Sequence, residues 1–189
     1  MSSRRSFIKA AAASTAGLSV PGIAMAGVSD LSRTHGVNPA DFRRSFSELW
    51  SNIAACTVEY ANAMPEEDYG FQPLPEIRSF GDQMLHIANS DFWIEQYLAP
   101  GSGTGEDYTA TGLSKDIIVG LLSESFENMS LVISRLTDSE LETEVSTFEG
   151  NRTRMEVLYM MRDHITHHRG QTVVYLRLKG IAPPAWVGS

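Results

Sequence analysis

"TRMEVLYMMRDHITHHRGQTVVYLRLKG", residues 153–180, holds a helix start, a helix stop and three of the five histidines in a 189-residue chain. Thr153 followed three positions later by Glu156 is a capping box, in which hydroxyl and carboxylate satisfy each other's orphan backbone amides. Gly180 supplies a left-handed C-cap and Pro183-Pro184 forbid continuation, so the spacing predicts a helix that ends at Lys179. His164 and His168, four apart, project from one face with about 40° between them, whereas His167 lies about 60° to the other side of His164. The face of the pair continues through Val157, Met160, Met161, Gln171, Thr172 and Tyr175, a mostly apolar stripe that is expected to face a core.

Three more helices precede this one. Asn38-Pro39 is a cap followed by a residue preset for the first turn, and Phe42, Phe46, Leu49, Trp50, Ile53, Thr57, Tyr60, Ala61 and Met64 recur at helical spacing until Pro65. Residues 65–76, with three prolines and a glycine, read as a rigid connection. Ser79 caps a second helix, with Asp82 in its first turn, that runs to about Leu98. Pro100–Gly112 is the longest loop, of the kind that often carries function beside a bundle. Ser114 opens a third helix with Ile118, Leu121, Leu122, Phe126, Met129, Ile133 and Leu136 on its core face. Residues 137–151 read as irregular, because Leu141, Val145 and Phe148 alternate too loosely for a strand. Four long amphipathic helices without a convincing strand make an all-α, four-helix bundle, in a single domain over residues 38–189.

Two imidazoles pointing into a core need partners for their ring nitrogens, and a shared cation provides them. His86, in "FGDQMLHIANSDFW" (80–93), is the natural third ligand, with Asp82, Gln83, Asn89, Ser90 and Trp93 on its face. Core imidazoles satisfied by hydrogen bonds alone are the competing reading. The metalloprotease motif fails, since Ile165 stands where it needs a glutamate. Serine-hydrolase and phosphate-loop motifs are absent. Three neutral imidazoles leave room for water or substrate on the ion, as in catalytic rather than structural sites, and suit zinc, nickel, iron or copper. Asp82, Asp163 and Tyr175 are the general acid or base candidates by spacing; Asp82, Gln171 and Tyr175 are the candidates for supporting the ligands.

The N-terminus reads as an export signal over residues 1–26, followed by a linker over 27–37 that contains His35. "SRRSFIK" and an uncharged small-residue run ending in Ala24-Met25-Ala26 match a twin-arginine signal, which implies the twin-arginine machinery, folded export and a periplasmic or secreted destination. A retained anchor is the competing reading, but Gly17, Pro21 and Gly22 interrupt a run short of the ~20 apolar residues that a span needs. The chain carries a formal charge of −8, and cleavage after Ala26 removes three basic residues and no acid. So acidic a protein is unsuited to nucleic acid, whose binding depends on Lys/Arg neutralisation of phosphates. Cys56, the only cysteine, cannot form an internal disulfide and reads as a small apolar group in the first helix.

"SFGDQMLHIANSDFW" (79–93) together with "DHITHHRGQTVVYLRLKGIAPP" (163–184) resembles the DinB-like superfamily of metal-binding four-helix bundles. That resemblance implies a divalent metal on His86, His164 and His168, a small-molecule substrate or ligand, and pairing of two copies through helix faces. It leaves His167 and Arg169 as exposed or structural, Gly170 as a close helix contact, and Gln171 as support for a ligand. The activities it implies range from thiol-dependent transfer and isomerisation to none assigned, and an export signal departs from that cytoplasmic thiol chemistry. The expected function is a metal-dependent hydrolase or group transferase; a non-catalytic metal- or ligand-binding bundle is the alternative.

Overall fold

In the computed structural model, residues 38–99 and 107–185 are described. The export signal, the linker and His35 lie outside them. Helix α1 (Pro39–Ala63) starts where Asn38 Oδ1 accepts from Ala40 N at 2.9 Å, and α2 (Phe80–Leu98) where Ser79 accepts from Asp82 N. Helix α3 (Lys115–Arg135) is capped by Ser114. A one-turn helix, α4 (Asp138–Leu141), and α5 (Arg154–Leu178) each open on a complete capping box, Thr137 with Glu140 and Thr153 with Glu156. At the far end of α5, Gly180 at φ 75° places Ile181 N on Leu176 O and its own N–H on Arg177 O, the paired closing bonds of a Schellman cap.

Residues 144–153 correct the sequence reading. They form a hairpin, β1 (Glu144–Thr147) paired antiparallel with β2 (Gly150–Thr153), with Glu144 opposite Thr153 and Thr147 opposite Gly150. No apolar alternation marks it, because backbone hydrogen bonds and the Thr147 Oγ1 bond to Gly150 O hold it instead of a buried face. Gly150 adopts φ 102°, closing a two-residue turn at Phe148-Glu149 that few other residues could close.

The four long helices form a square. Trp50 Nε1 of α1 donates to Phe126 O of α3 at 3.1 Å, Ser125 of α3 meets Asp91 of α2, Tyr175 of α5 donates to Arg78 O before α2, and Arg169 of α5 donates to Ile53 O and Thr57 Oγ1 of α1. With Phe42 against Tyr159, Gln83 and Ser90 against His168 and His164, and Gly81 beside Ile118 at further levels, these pairings make α1 parallel to α5, and α2 parallel to α3 and antiparallel to α5. Parallel α2 and α3 require the connection between them to return along the bundle, which is the physical reason for the long loop. On its way back it is pinned to α2: Asn89 Nδ2 donates to Asp107 Oδ1 and Tyr108 O, and Ala110 N donates to Asp82 Oδ1 at 2.8 Å. Gly81 lies under that segment; a Cβ there would stand 3.0 Å from Ala110 Cβ.

The core holds the apolar positions that the periodicity selects, with Phe42, Phe46, Trp50, Met84, Ile87, Leu122, Met129, Val157 and Met161 buried. Stacked Phe42, Phe46 and Trp50 meet Tyr159 and Phe126 edge-on, the arrangement that aromatic quadrupoles favour. Helix α3 is long and apolar enough to cross a membrane by length and composition, but its Ile118, Leu122, Phe126 and Met129 are buried in the bundle. Cys56 is buried.

Asp91 is the exception in this core. It is 1% exposed, its Oδ2 accepts from Ser125 Oγ at 3.1 Å, and its Oδ1 has no partner among the described residues. Burial pushes its carboxyl well above the ordinary carboxylate range, so the folded state holds a proton that the unfolded chain releases above its value of 3.8. Stability from this group therefore falls as pH rises above 3.8. Asp91→Asn is expected to melt above the unmodified chain at neutral pH and to lose that advantage in acid, as read by calorimetry across the range.

Candidate metal centre

Helix α2 presents Gln83, His86 and Ser90 at helical spacing toward α5, which presents His168 and His164 back. Because the helices are antiparallel, the pairs fall in reverse order. Gln83 Nε2 donates to His168 Nδ1 at 2.7 Å, the Nε2 atoms of His86 and His168 stand 3.1 Å apart, and Ser90 Oγ meets His164 Nε2 at 2.8 Å. One nitrogen from each of His86, His164 and His168 lies within 4.8 Å of the other two. Two nitrogens bound at ~2.05 Å to one tetrahedral ion stand about 3.3 Å apart, so the His86–His168 nitrogen separation is close to that of two ligands on a shared cation.

The rings are held neutral. Burial pulls His86 down to about 4, helped by the Arg78 guanidinium and by His164. Burial also pulls His168 down to about 4, with the neighbouring histidines adding to it, and His164 is lowered first by burial and then by His167. Neutral imidazoles keep lone pairs available at physiological pH, which is what a metal requires.

The imidazole tautomers follow from their partners. With Gln83 Nε2 donating, His168 Nδ1 accepts and its Nε2–H points at His86. Coordination through His168 Nε2 needs the proton on Nδ1, and Gln83 serves that state by turning its amide to offer Oε1. Gln83, 2% exposed, also donates to Gln171 Oε1, and Gln171 Nε2 lies 2.9 Å from His167 Nε2. Gln83 is therefore the direct support of His168, and Gln171 acts one bond further out.

Several expectations need correction. Asp82 does not touch a histidine: its carboxylate accepts from Ser79 Oγ and Ala110 N, capping α2 and anchoring the returning loop. Tyr175 is committed to Arg78 O, and Asp163 to Arg162. Of the two residues read as exposed or structural, His167 is exposed and Arg169 is structural, buried with its guanidinium reaching α1. Gly170 is no close contact, since a Cβ there would meet nothing within 4 Å. The sequence reading left Gln83 and Ser90 as same-face neighbours, although their spacing from His86 was the available signal. Trp93 was likewise only a same-face neighbour, and Asp107 and Arg78 were not singled out; all three line the cavity of about 860 Å³ that opens onto His86 and His164. A long loop was the only sign of Asp107.

The model of the DinB family matches residues 38–188. The chain is similar to the uncharacterized protein YjoA of Bacillus subtilis (strain 168), with 24% identity over 127 residues, 66% of this chain and 82% of that protein. Among solved structures it is similar to a DinB-like protein from Bacillus cereus at TM-score 0.68 and 21% identity, covering 76% of this chain and 97% of the other. The structure of YjoA is similar at TM-score 0.60 and 19% identity, covering 72% and 92%. These structural likenesses bear on the fold.

Depressed histidines bind fewer protons folded than unfolded, so they contribute stability that is present above 6.5 and lost as pH falls toward about 4. The metal-free chain is expected to lose melting temperature across that window, and His86→Ala to flatten the slope; an unchanged slope would show that the cluster does not titrate as its burial requires.

Proposed function

The chain belongs to the DinB family, and from that premise we propose that it binds one divalent metal on His86, His164 and His168 and uses it for hydrolysis or group transfer on a small molecule. The observation that carries this reading is the convergence of three neutral imidazoles within 4.8 Å at the edge of a cavity of about 860 Å³. A pocket of that size suits a drug-sized ligand. Zinc, nickel and iron all suit the donor set. A bound divalent ion supplies Lewis acidity to a substrate carbonyl, phosphoryl or thiol group and makes water a better nucleophile.

The chain's own residues divide the remaining work. His168 is oriented by Gln83, and His164 by Ser90, whose hydroxyl also donates to His86 O at 2.6 Å. Asp107 is the cavity carboxylate suited to move a proton: Asn89 holds its Oδ1, its Oδ2 is uncommitted among the described residues, and its charge is felt at His86. Folded export by the twin-arginine route would let the ion be acquired before competing metals outside are met.

A non-catalytic metal- or ligand-binding bundle is the second reading. It draws on the engagement of Asp82 and Tyr175 in structural bonds and of Asp163 in an exposed pair with Arg162, which leaves Asp107 as the acid that lines the histidine cavity with a free oxygen among the described residues.

Elemental analysis of protein purified without an affinity tag should find one divalent ion per chain, lost in His86→Ala. Gln83→Leu should weaken metal affinity by about 10–100-fold, as loss of a ligand's hydrogen-bond partner does, whereas Gln83→Glu, which can still accept from His168 Nδ1–H, should retain it. Asp107→Asn should leave metal content unchanged and lower any chelator-sensitive turnover by about 100-fold or more; full activity in that variant would remove Asp107 from the mechanism.

A further inference from the structure

The cavity beside the three histidines is a groove along α2. Its floor is one stripe of that helix from Asp82 through His86 to Trp93, a rise of about 16 Å at 1.5 Å per residue. The returning segment at Asp107–Thr111 forms the opposite wall. The two ends differ in chemistry. Arg78 closes one end, and its guanidinium has no ion pair or hydrogen bond among the described residues. Trp93, 40% exposed, stands at the other, its ring 5.1 Å from that of Phe148, which the hairpin turn carries 65% exposed. An exposed tryptophan against an exposed phenylalanine has no packing role in the core.

Two carboxylates also line the groove, and both are held in place by hydrogen bonds. Asp82 is occupied at both oxygens and Asp107 at one. Arg78, at one end, is the charged lining group with no partner among the described residues, so a negatively charged head is favoured at that end of the groove.

We propose that the groove binds an elongated amphiphilic carboxylate, its head on Arg78, its apolar or aromatic end on Trp93 and Phe148, and its middle beside His86 and His164. What happens to the middle rests on the metal reading above; the binding of the two ends does not. An exposed Arg–carboxylate pair is weak, so Arg78 selects charge and sets direction while the aromatic pair supplies most of the affinity.

The test uses ω-phenyloctanoate and its neutral amide, titrated into the full chain by calorimetry, with and without zinc. The acid is expected to bind at least about fivefold more tightly than the amide. Arg78→Gln should abolish that preference, and Trp93→Ala should weaken both ligands about tenfold while Trp93→Phe retains them. Equal binding of acid and amide by the unmodified chain would overturn the proposal without recourse to any variant. Zinc uptake, followed on the same samples against a chromogenic chelator, separates the two readings. A chain that prefers the acid but takes up no zinc sinks the metal centre and leaves the groove; one that takes up zinc without preferring the acid sinks the groove.

Discussion

The seam between α2 and α5 is the constraint on which the other features depend. Gln83, His86 and Ser90 meet His168 and His164 in reverse order across two antiparallel helices, within an interface otherwise built from buried apolar side chains. A buried donor or acceptor without a partner costs about 1–3 kcal/mol. Sliding or rotating either helix by one position would orphan several at once. Apolar packing resists the same slips, because one position turns an apolar stripe by about 100°, and the polar ladder adds to it in setting the register of α2 against α5 and, with it, the convergence of the three rings.

The topology then builds the groove. Because α2 and α3 run in the same direction, their connection must travel back along the bundle, and Asn89 and Asp82 pin it across the polar face of α2. The same ladder that positions the imidazoles thus ends up beneath a wall carrying Asp107. Burial has opposite consequences for the two kinds of titratable group: it keeps the histidines neutral by lowering them and keeps Asp91 neutral by raising it. Neutral imidazoles are useful at the mouth of a cavity, whereas the same penalty on Asp91, deep between α2 and α3, has no evident return. Its retained carboxyl has no structural rationale in the contacts that surround it.

Much of this architecture is legible in the linear chain. Asn38, Ser79, Ser114 and Thr153 each begin a helix where their side chains predict, since capping involves atoms within three residues. The apolar stripes that mark the core reflect a period of 3.6 residues, also a local property. The hairpin at 144–153 escaped because its stabilisation is backbone pairing between exposed residues, which leaves no hydrophobic signature. The partners of Arg169 escaped for a related reason: Ile53 O and Thr57 lie more than a hundred residues away.

The sequence by itself determined four helices, their boundaries, and the shared face of His164 and His168, because each follows from spacing along one helix. Only the tertiary structure decided that Gln83 and Ser90 support those rings, that Asp82 serves the loop instead, and that Arg78, Asp107 and Trp93 surround one cavity. Those relations depend on the rotation and register of one helix against another, which are set by the joint satisfaction of buried polar atoms across the interface and are written in neither helix alone.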